Sequence, residues 1–454
     1  MCVEIAEQEN CLEEHHADAP HRGAPPEDRE EDLPDERLHH EQERRREKDR
    51  EREQPCHCRI LADLTPRSCY HAVAVSALLP LIWLLAGASV LGADLTAGEI
   101  IDQVTCTADP SQSYALFVPR DYTPNRLWPV IFAFDPGGRG RVPVERYRAA
   151  AERFGYVVVG SNNSRNGSTE IPKILAAMTT DVAARLAVDP KRVYLAGMSG
   201  GARVALGIAL ASKSVAGVIA SSAGYPDNRV RKELSFPIFA TAGTEDFNHL
   251  EMRRLDRALT TPHRLVVFSG GHVWLSSELA LQAVEWMELQ AMRSGLAPRD
   301  EAAIDRMFAS RVAAAGTSGD TDTLRALQAI ADDFRGLRDV SSVARTISAP
   351  GRDKAIRAAI DAERDEDRRE ENMLRDAASM TSQLSSDDRL AALTQLRHLW
   401  QKLSAQATNP VDSTERRMAR RVMAALSADG TTDADYSKII AEYWIERNPR
   451  SVAP

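Results

Sequence analysis

Residues 192–205 read RVYLAGMSGGARVA and are the most informative stretch of the sequence. The first half is an apolar run typical of a buried strand, and the second half carries alanine at helical spacing. Between them lies the pentapeptide G-x-S-x-G, formed by Gly197, Ser199 and Gly201. A sharp strand-to-helix turn strains its central residue and exposes the serine hydroxyl, while the flanking glycines avoid collisions of a Cβ with the neighbouring elements. The stretch therefore predicts an exposed nucleophile between a strand and a helix.

The composition excludes several classes of protein. The chain has 454 residues, 43% of them hydrophobic, which is enough for two or three domains with their own cores. A net charge of −9 provides no overall attraction to nucleic acid. Of the six cysteines only Cys106 lies beyond residue 100, and Cys56-His57-Cys58 has no second ligand pair for zinc. We predict no nucleic-acid partner, no metal and no organic cofactor.

The first 93 residues divide into two segments that we do not expect to form a domain. Residues 1–66 are crowded with charge and poor in apolar periodicity, so they form either a disordered tail or a stretch outside the mature protein. Residues 67–93 carry an uncharged run that ends in Ala86 and Ala88, an A-x-A-like cleavage site. This pattern predicts a secretory signal and export to the periplasm or beyond. The alternative is an uncleaved membrane anchor over residues 72–93.

Residues 94–297 show short β-rich runs that alternate with helical patterns. Such alternation predicts an α/β domain with a mostly parallel sheet covered by helices on both faces. The predicted strands beside the 192–198 run are Tyr114–Val118, Pro129–Phe134, Tyr156–Val159, Val215–Ser221, Ile238–Ala242 and Leu265–Phe268. The predicted helices, besides the one that follows Ser199, are Val144–Phe154, Ile171–Leu186, His249–Leu259 and Leu275–Met292.

Residues 298–454 lose the strand runs and predict an all-α domain of helical hairpins. An apolar stripe over residues 387–403 begins at Leu390 and ends at Leu403, as expected for a helix with one buried face. The charged stretch 361–371 is interpreted as a solvated helix face. No strict repeat period is visible. We assign the domain no chemistry, and a protein partner is one possible reason for it.

A serine becomes a nucleophile only when a base takes its proton and a third group orients the base. In a fold with this strand–turn–helix element the chain order is serine, then acid, then histidine. Asp246 follows the strand over residues 238–242 and is the predicted acid, with Glu245 and Asp227 as competitors. Because carboxyl ends of parallel strands share one edge of a sheet, Asp246 is expected near Ser199.

His272 is the predicted base, because it follows the last strand in a glycine-rich turn. His249 is placed on a helix, and His263 precedes the last strand at the opposite edge of the sheet, so both are weaker candidates. His272 would accept the Ser199 proton and return it to the leaving group.

Two further features predict where a developing oxyanion would be bound. Gly200 opens the helix after the nucleophile, so its N–H is free to donate to an oxyanion. Gly137 and Gly138 follow the strand over residues 129–134, where lipases and esterases have an HGGG-type loop, and are the candidates for the second donor. The loop 162–166 is either a part of the pocket lining or a plain polar loop.

Residues 113–292 resemble the alpha/beta-hydrolase superfamily, specifically its dienelactone hydrolase, feruloyl esterase and polyhydroxybutyrate depolymerase-like branch. The residues that carry the resemblance are Tyr114–Val118, Pro129–Gly138, Gly197–Gly201, Gly243–Asp246 and Gly271–His272. The resemblance implies ester hydrolysis without a cofactor by a triad of Ser199, His272 and Asp246. Asp135 stands where many members have histidine, and this departure bears on the second oxyanion donor.

The sequence therefore predicts an exported carboxylesterase that acts on a small-molecule or polymer-derived ester. The short connection between residues 221 and 236 leaves no room for a large lid, so we expect an open site. The first alternative is a prolyl-oligopeptidase-like serine peptidase, although no gating domain precedes the hydrolase region. The second is a non-catalytic scaffold that recruits a partner through residues 298–454.

Overall fold

The computed structural model describes residues 96–318, 320–349 and 352–445. The predictions for residues 1–66 and for the signal or anchor over residues 67–93 lie outside this part of the chain. Within it, no helix combines the length and the apolarity that a membrane crossing requires.

One sheet of eight strands organises the described residues, in the order β1-β2-β4-β3-β5-β6-β7-β8. Strands β3 to β8 pair in parallel, whereas β2 is antiparallel to both β1 and β4. The strands are β1 Ile100–Thr105, β2 Ser113–Phe117, β3 Trp128–Phe134, β4 Val157–Ser161, β5 Val188–Met198, β6 Gly217–Ser221, β7 Ile238–Gly243 and β8 His263–Phe268. The predicted strands are confirmed to within a few residues at each end.

Strand β1 was not predicted from the sequence. Its apolar residues are interrupted by the exposed pair Asp102 and Gln103, so neither an apolar run nor a clean alternation is present. A register shift between Ile101 and Val104 accommodates the interruption while the strand pairs with β2. Pairing with a neighbour, and not local pattern, therefore creates this edge strand.

Helices cover both faces of the sheet, as predicted. The helices before residue 298 are α1 Arg141–Phe154, α2 Ile171–Arg185, α3 Gly200–Ala211, α4 His249–Ala258 and α5 Ser277–Ser294. Helices α2, α3 and α4 pack in one apolar cluster, while α1 and α5 pack in a second cluster on the other face. Since both faces are covered, strands such as β3, β4 and β7 are buried along their whole length.

The described residues after 298 are helical. The elements are α6 Glu301–Ala315, α7 Thr321–Phe334, α8 Ser341–Ile347, α9 Arg352–Ser382, a 3₁₀ turn Gln383–Ser385, α10 Arg389–Ala407, α11 Thr414–Ala428, α12 Ala434–Ile440 and a π-helical turn Ala441–Ile445. Helices α6 to α8 pack on the end of α5, whereas α10, α11 and α12 surround Trp400 with the end of α9. This arrangement agrees with the predicted all-α character.

Two details of this helical region differ from expectation. Leu390, assigned to the apolar stripe, is 79% exposed, because the buried face of α10 begins at Ala392 and continues through Leu396 and Trp400. The stretch 361–371 is not simply a solvated face, since Asp367 and Glu370 are buried. Asp367 pairs with Arg253 and Glu370 pairs with Arg421, both on other helices. The sequence pattern of one helix cannot reveal such partners.

Candidate active site

Ser199 lies at the turn between β5 and α3, in the strained conformation that the pentapeptide predicts. Its φ of 53° and ψ of −123° fall outside the regions that non-glycine residues usually adopt. A Cβ on Gly197 would lie 2.2 Å from the Gly201 carbonyl oxygen, and one on Gly201 would lie 1.8 Å from the Phe134 carbonyl oxygen. Only glycine fits at these two positions, so the turn and the exposed hydroxyl depend on both.

The structure brings Ser199, His272 and Asp246 together in one chain of hydrogen bonds. The Ser199 hydroxyl donates to His272 Nε2, with 2.8 Å between the two atoms. The His272 Nδ1–H donates to Asp246 Oδ1, also at 2.8 Å. Because the carboxylate can only accept, Nδ1 must carry the proton of the neutral ring and Nε2 is left as the acceptor. This tautomer is the one in which a histidine can take a proton from the serine.

Asp246 is fully buried, and a network fixes its carboxylate. Its Oδ1 also accepts the backbone N–H of Asn248 at 2.8 Å, and the Asn248 side chain donates to the Ser222 carbonyl oxygen at 2.7 Å. The competing acids lie elsewhere: Glu245 pairs with Arg420, and Asp227 pairs with Arg231. Of the acids weighed from the sequence, the structure places Asp246 against His272.

The two other candidate histidines, His249 near this edge and His263 at the amino end of β8, have their own partners. His249 is buried at the start of α4, and its Nδ1–H donates to the Gly243 carbonyl oxygen at 3.0 Å. Burial, followed by the charges of Arg421 and Arg253, lowers the pKa of His249 to about 4, so the ring is neutral at pH 7. His263 begins β8, where its Nε2 faces Asp256 at 3.6 Å. Neither contact involves Ser199.

Phe247 is a site residue that the sequence reasoning missed. Its ring stacks on the His272 imidazole, with 4.0 Å between the ring centroids and 28° between the planes. The stack covers one face of the imidazole and restricts its rotation, while the hydrogen bond to Asp246 fixes its edge. The position directly after the acid was the only available signal, and it says nothing about which ring the phenylalanine would meet.

The loop after β3 contains Gly137 and Gly138, the two glycines predicted to supply the second oxyanion donor. The Gly137 N–H donates to Asp135 Oδ1 at 2.8 Å, and the Gly138 N–H donates to the Asp135 carbonyl oxygen at 3.1 Å. Both amides that were expected to bind an oxyanion are therefore engaged. Gly200, in contrast, is the first residue of α3, so its N–H has no acceptor within the helix.

The fully buried carboxylate of Asp135 is the centre of further contacts in this loop. It accepts the Trp274 indole N–H at 2.8 Å and pairs with the Arg139 guanidinium at 2.9 Å. Burial alone would raise the pKa of Asp135, but the hydrogen bonds from Arg139, Trp274 and Gly137 outweigh it and hold that pKa below its usual value. The charged carboxylate thus accounts for the engaged Gly137 amide, whereas the Gly138 amide is bound by the backbone carbonyl of the same residue.

One side chain of the loop 162–166 lies against Gly200, the residue after the nucleophile. A Cβ on Gly200 would lie 1.8 Å from Asn166 Oδ1, so the amide of Asn166 packs directly on the Gly200 backbone. The Asn166 N–H donates to the Pro136 carbonyl oxygen at 2.8 Å, which ties this loop to the one after β3. Asn163 has a different role, since its Oδ1 accepts the Ser113 N–H at 2.8 Å. Asn166 is thus the residue of this loop that contacts the turn after the nucleophile, and its place in a pocket lining stays a prediction.

The sheet order, the turn after β5, the acid after β7 and the histidine after β8 together define the alpha/beta-hydrolase fold. Helices α6 to α12 are an addition to it.

No family model matches the chain, and no curated protein matches it. Among solved structures it is similar to an esterase from Thermogutta terrifontis, with 18% identity over 41% of this chain and 90% of that chain and a TM-score of 0.31. For an esterase from Pyrobaculum calidifontis the identity is 14% over 43% of this chain and 87% of that chain, with a TM-score of 0.33. For dipeptidyl peptidase 4 from Porphyromonas gingivalis it is 16% over 42% and 35%, with a TM-score of 0.33.

Proposed function

We propose that this chain is a serine hydrolase that cleaves carboxylic esters through an acyl-enzyme intermediate. The observation that carries the proposal is the continuous hydrogen-bonded chain from Ser199 Oγ through His272 to the buried Asp246. A strained serine, a correctly protonated imidazole and an oriented carboxylate are the parts that nucleophilic acyl transfer requires. A merely structural serine would need none of them.

In the acylation step, Ser199 Oγ attacks the ester carbonyl carbon while its proton passes to His272 Nε2. The carbonyl double bond becomes an oxyanion, and Asp246 stabilises the imidazolium that forms. When the oxyanion collapses, the bond to the alcohol oxygen breaks, and the Nε2 proton moves to the departing alkoxide. A water molecule then repeats the sequence on the acyl-serine, with His272 again as the base, and releases the carboxylic acid.

We assign the oxyanion to the Gly200 N–H and the side-chain amide of Asn166. Gly200 supports the assignment because its N–H lies next to the nucleophile and has no intrahelical acceptor. Asn166 supports it because its side chain packs on Gly200 and carries an amide NH₂, whereas the amides of Gly137 and Gly138 already have acceptors. An asparagine donor can serve an oxyanion as well as a backbone amide can.

The proposed substrate class rests on how open the surroundings of Ser199 and His272 are. The connection 222–237 contains no helix or strand, and Ser199 and His272 are only half-buried. These features support an open site and, in line with the branch that the sequence resembles, esters with a bulky acid or alcohol. Export of the enzyme is part of the proposal and is supported by the uncharged run within residues 67–93.

A fluorophosphonate probe tests the proposal on the full chain, with mass spectrometry as the readout. We expect labelling of Ser199 in the wild type, none in Ser199→Ala and strongly slowed labelling in His272→Ala. His263→Ala is the matched control, because that histidine has other partners, and it should be labelled at the wild-type rate. A folded wild type that is not labelled would overturn the proposal and favour the scaffold reading.

The leaving group is tested with p-nitrophenyl esters and aminoacyl p-nitroanilides that share the same acyl part. Turnover of the esters alone supports the esterase proposal. Faster turnover of the anilides would contradict the esterase proposal and favour a serine peptidase.

A further inference from the structure

Helix α11 holds the loop that carries the proposed catalytic acid. The Arg421 guanidinium donates from Nη1 to the Thr244 carbonyl oxygen at 2.8 Å. The neighbouring Arg420 donates from the same atom type to Glu245, with 2.9 Å to Oε2. Consecutive arginines thus contact the two residues that directly precede Asp246.

Arg421 is itself held by α9, in surroundings that exclude water. It is 2% exposed, and its partner Glu370 is 1% exposed. Their closest approach is 2.6 Å, and Glu366 accepts a further hydrogen bond from Arg421 at 2.8 Å. A buried ion pair of this kind adds little net stability, because desolvation offsets the attraction, but it permits only one arrangement of the groups. The guanidinium that reaches Thr244 is therefore rigidly placed.

The other end of the same loop is held as well. Asp246 lies three residues before α4, and α4 presents its arginines to α9. Arg253 contacts Glu363 and Asp367 at 3.0 Å each, and Arg254 contacts Glu371 at 2.9 Å. Glu363, Asp367 and Glu371 of α9 are thus the counter-charges that join α4 to the helices after residue 298.

The backbone of the acid loop is also bonded to the segment that leads to His272. The Thr244 N–H donates to the Phe268 carbonyl oxygen, and the Glu245 N–H donates to the Gly270 carbonyl oxygen, at 2.8 Å each. A displacement of Thr244 or Glu245 would therefore move the acid and the base together. The 2.8 Å contact between Asp246 and His272 depends on both segments.

We propose that helices α9 and α11 form a clamp on the acid loop and that Arg420 and Arg421 are positioning residues for the triad. The proposal rests on the esterase function proposed above. Neither arginine acts on substrate; they set the place of Asp246 and, through it, the orientation of His272. The helices after residue 298 are then a working part of the active site, beside any role in binding a partner.

Three variants of α11 test the clamp. Arg420→Gln breaks the contact with Glu245, and Arg421→Met removes the buried guanidinium. Arg417→Gln is the matched control, because Arg417 lies on the same helix and its ion pair is with Asp412, although the charge of Glu245 also raises its pKa. With a soluble p-nitrophenyl ester we expect kcat to fall about 10-fold for Arg420→Gln and about 100-fold for Arg421→Met, as misplaced catalytic groups do. KM should change by less than about twofold, since no clamp residue contacts substrate.

Rescue separates positioning from a general loss of stability. Arg420→Glu should lower kcat at least as much as Arg420→Gln does. Adding Glu245→Arg to Arg420→Glu exchanges the two charges and should restore most of the lost kcat. The rate of fluorophosphonate labelling at Ser199 should follow kcat through the whole series. If Arg421→Met does not fold, the Arg420 variants and the exchange decide alone.

The outcomes are distinct. If wild-type Ser199 is labelled and the Arg420 variants match Arg417→Gln in kcat and labelling rate, the clamp is overturned while the esterase proposal stands. If the exchange leaves activity at the level of the single variants although both fold, the direct contact is not what positions the loop, and the proposal is again overturned. A folded wild type without labelling overturns the esterase function and the clamp with it.

Discussion

Replacing Asp246 by asparagine removes the charge behind the imidazole while leaving its hydrogen bonds in place. Asp246 Oδ1 accepts both the His272 Nδ1–H and the Asn248 backbone N–H, at 2.8 Å each. Among the described residues, Oδ2 has no hydrogen-bond partner. An asparagine with its oxygen at the Oδ1 position keeps both bonds. The reverse orientation would point its NH₂ at the N–H of Asn248, so two donors would face each other.

The magnitude follows from the charge alone. Opposite charges about 4 Å apart attract by about 4 kcal/mol at an effective dielectric constant of about 20. The neutral hydrogen bond that remains returns about 1 kcal/mol of this. The net loss of about 3 kcal/mol in the transition state corresponds to about a 10²-fold fall in kcat. A switch to the wrong histidine tautomer would instead cost about 10⁴-fold.

The assay is steady-state hydrolysis of a p-nitrophenyl ester by wild type, Asp246→Asn and Asp246→Ala. We expect the asparagine variant to lose about 10²-fold in kcat, with a larger loss for alanine, which also releases the imidazole. The asparagine NH₂ is left buried without an acceptor, so the unfolding free energy should fall by about 1–3 kcal/mol. A loss near 10⁴-fold for asparagine would refute the reasoning, because it would mean that the amide had turned and reversed the tautomer. Unchanged kcat would mean that the negative charge of Asp246 does not stabilise the transition state.

Three other perturbations have defined outcomes. Asn166→Ala should lower kcat about 10²-fold in steady-state kinetics with little change in KM, whereas Asn163→Ala should have a far smaller effect on kcat. A methyl group on Gly201 would lie 1.8 Å from a backbone oxygen of β3, so Gly201→Ala should leave little folded protein in a urea titration, while Gly271→Ala meets nothing within 4 Å and should keep the wild-type midpoint. Burial lowers the pKa of His249 to about 4, so stability that is complete above the unfolded-state pKa of about 6.5 should fall by about 3 kcal/mol as the pH drops to about 4. His249→Asn cannot titrate and should flatten that dependence in urea titrations at each pH; an unchanged slope would contradict the assignment.

Much of the candidate site could be read from local patterns. The pentapeptide around Ser199 predicts its own tight turn, because glycine on both sides is needed only where backbone atoms approach closely. Asp246 and His272 follow strands, and carboxyl ends of parallel strands meet at one edge, so order along the chain already implied their proximity to the serine. Local chemistry sufficed wherever a residue's role was set by its nearest neighbours in sequence.

The hydrogen bonds of the two glycines proposed for the second oxyanion donor could not be read in that way. Gly137 and Gly138 have the right sequence position, but the buried carboxylate of Asp135 accepts the Gly137 N–H and the backbone carbonyl of Asp135 accepts the Gly138 N–H. Asp135 can remain charged there because Arg139 and Trp274 converge on it, and Trp274 lies 139 residues further along the chain. The outcome of such a competition for hydrogen bonds depends on groups that only folding brings together.

By itself, then, the sequence determined the α/β alternation, the strained serine, the order of the three site residues and the change to an all-α region. Tertiary structure alone decided that β1 pairs at the edge of the sheet, that Phe247 stacks on the imidazole and that acids of α9 face arginines of α4 and α11. The physical reason is the separation along the chain over which each interaction acts. Periodicity and turn chemistry act over a few residues, whereas ring stacking and buried charge pairing are selected by partners far away in the chain. From sequence alone, the charged stretch of α9 is indistinguishable from a solvent-exposed face. Its counter-charges come from arginines of α4 and α11, the two helices that contact the acid loop.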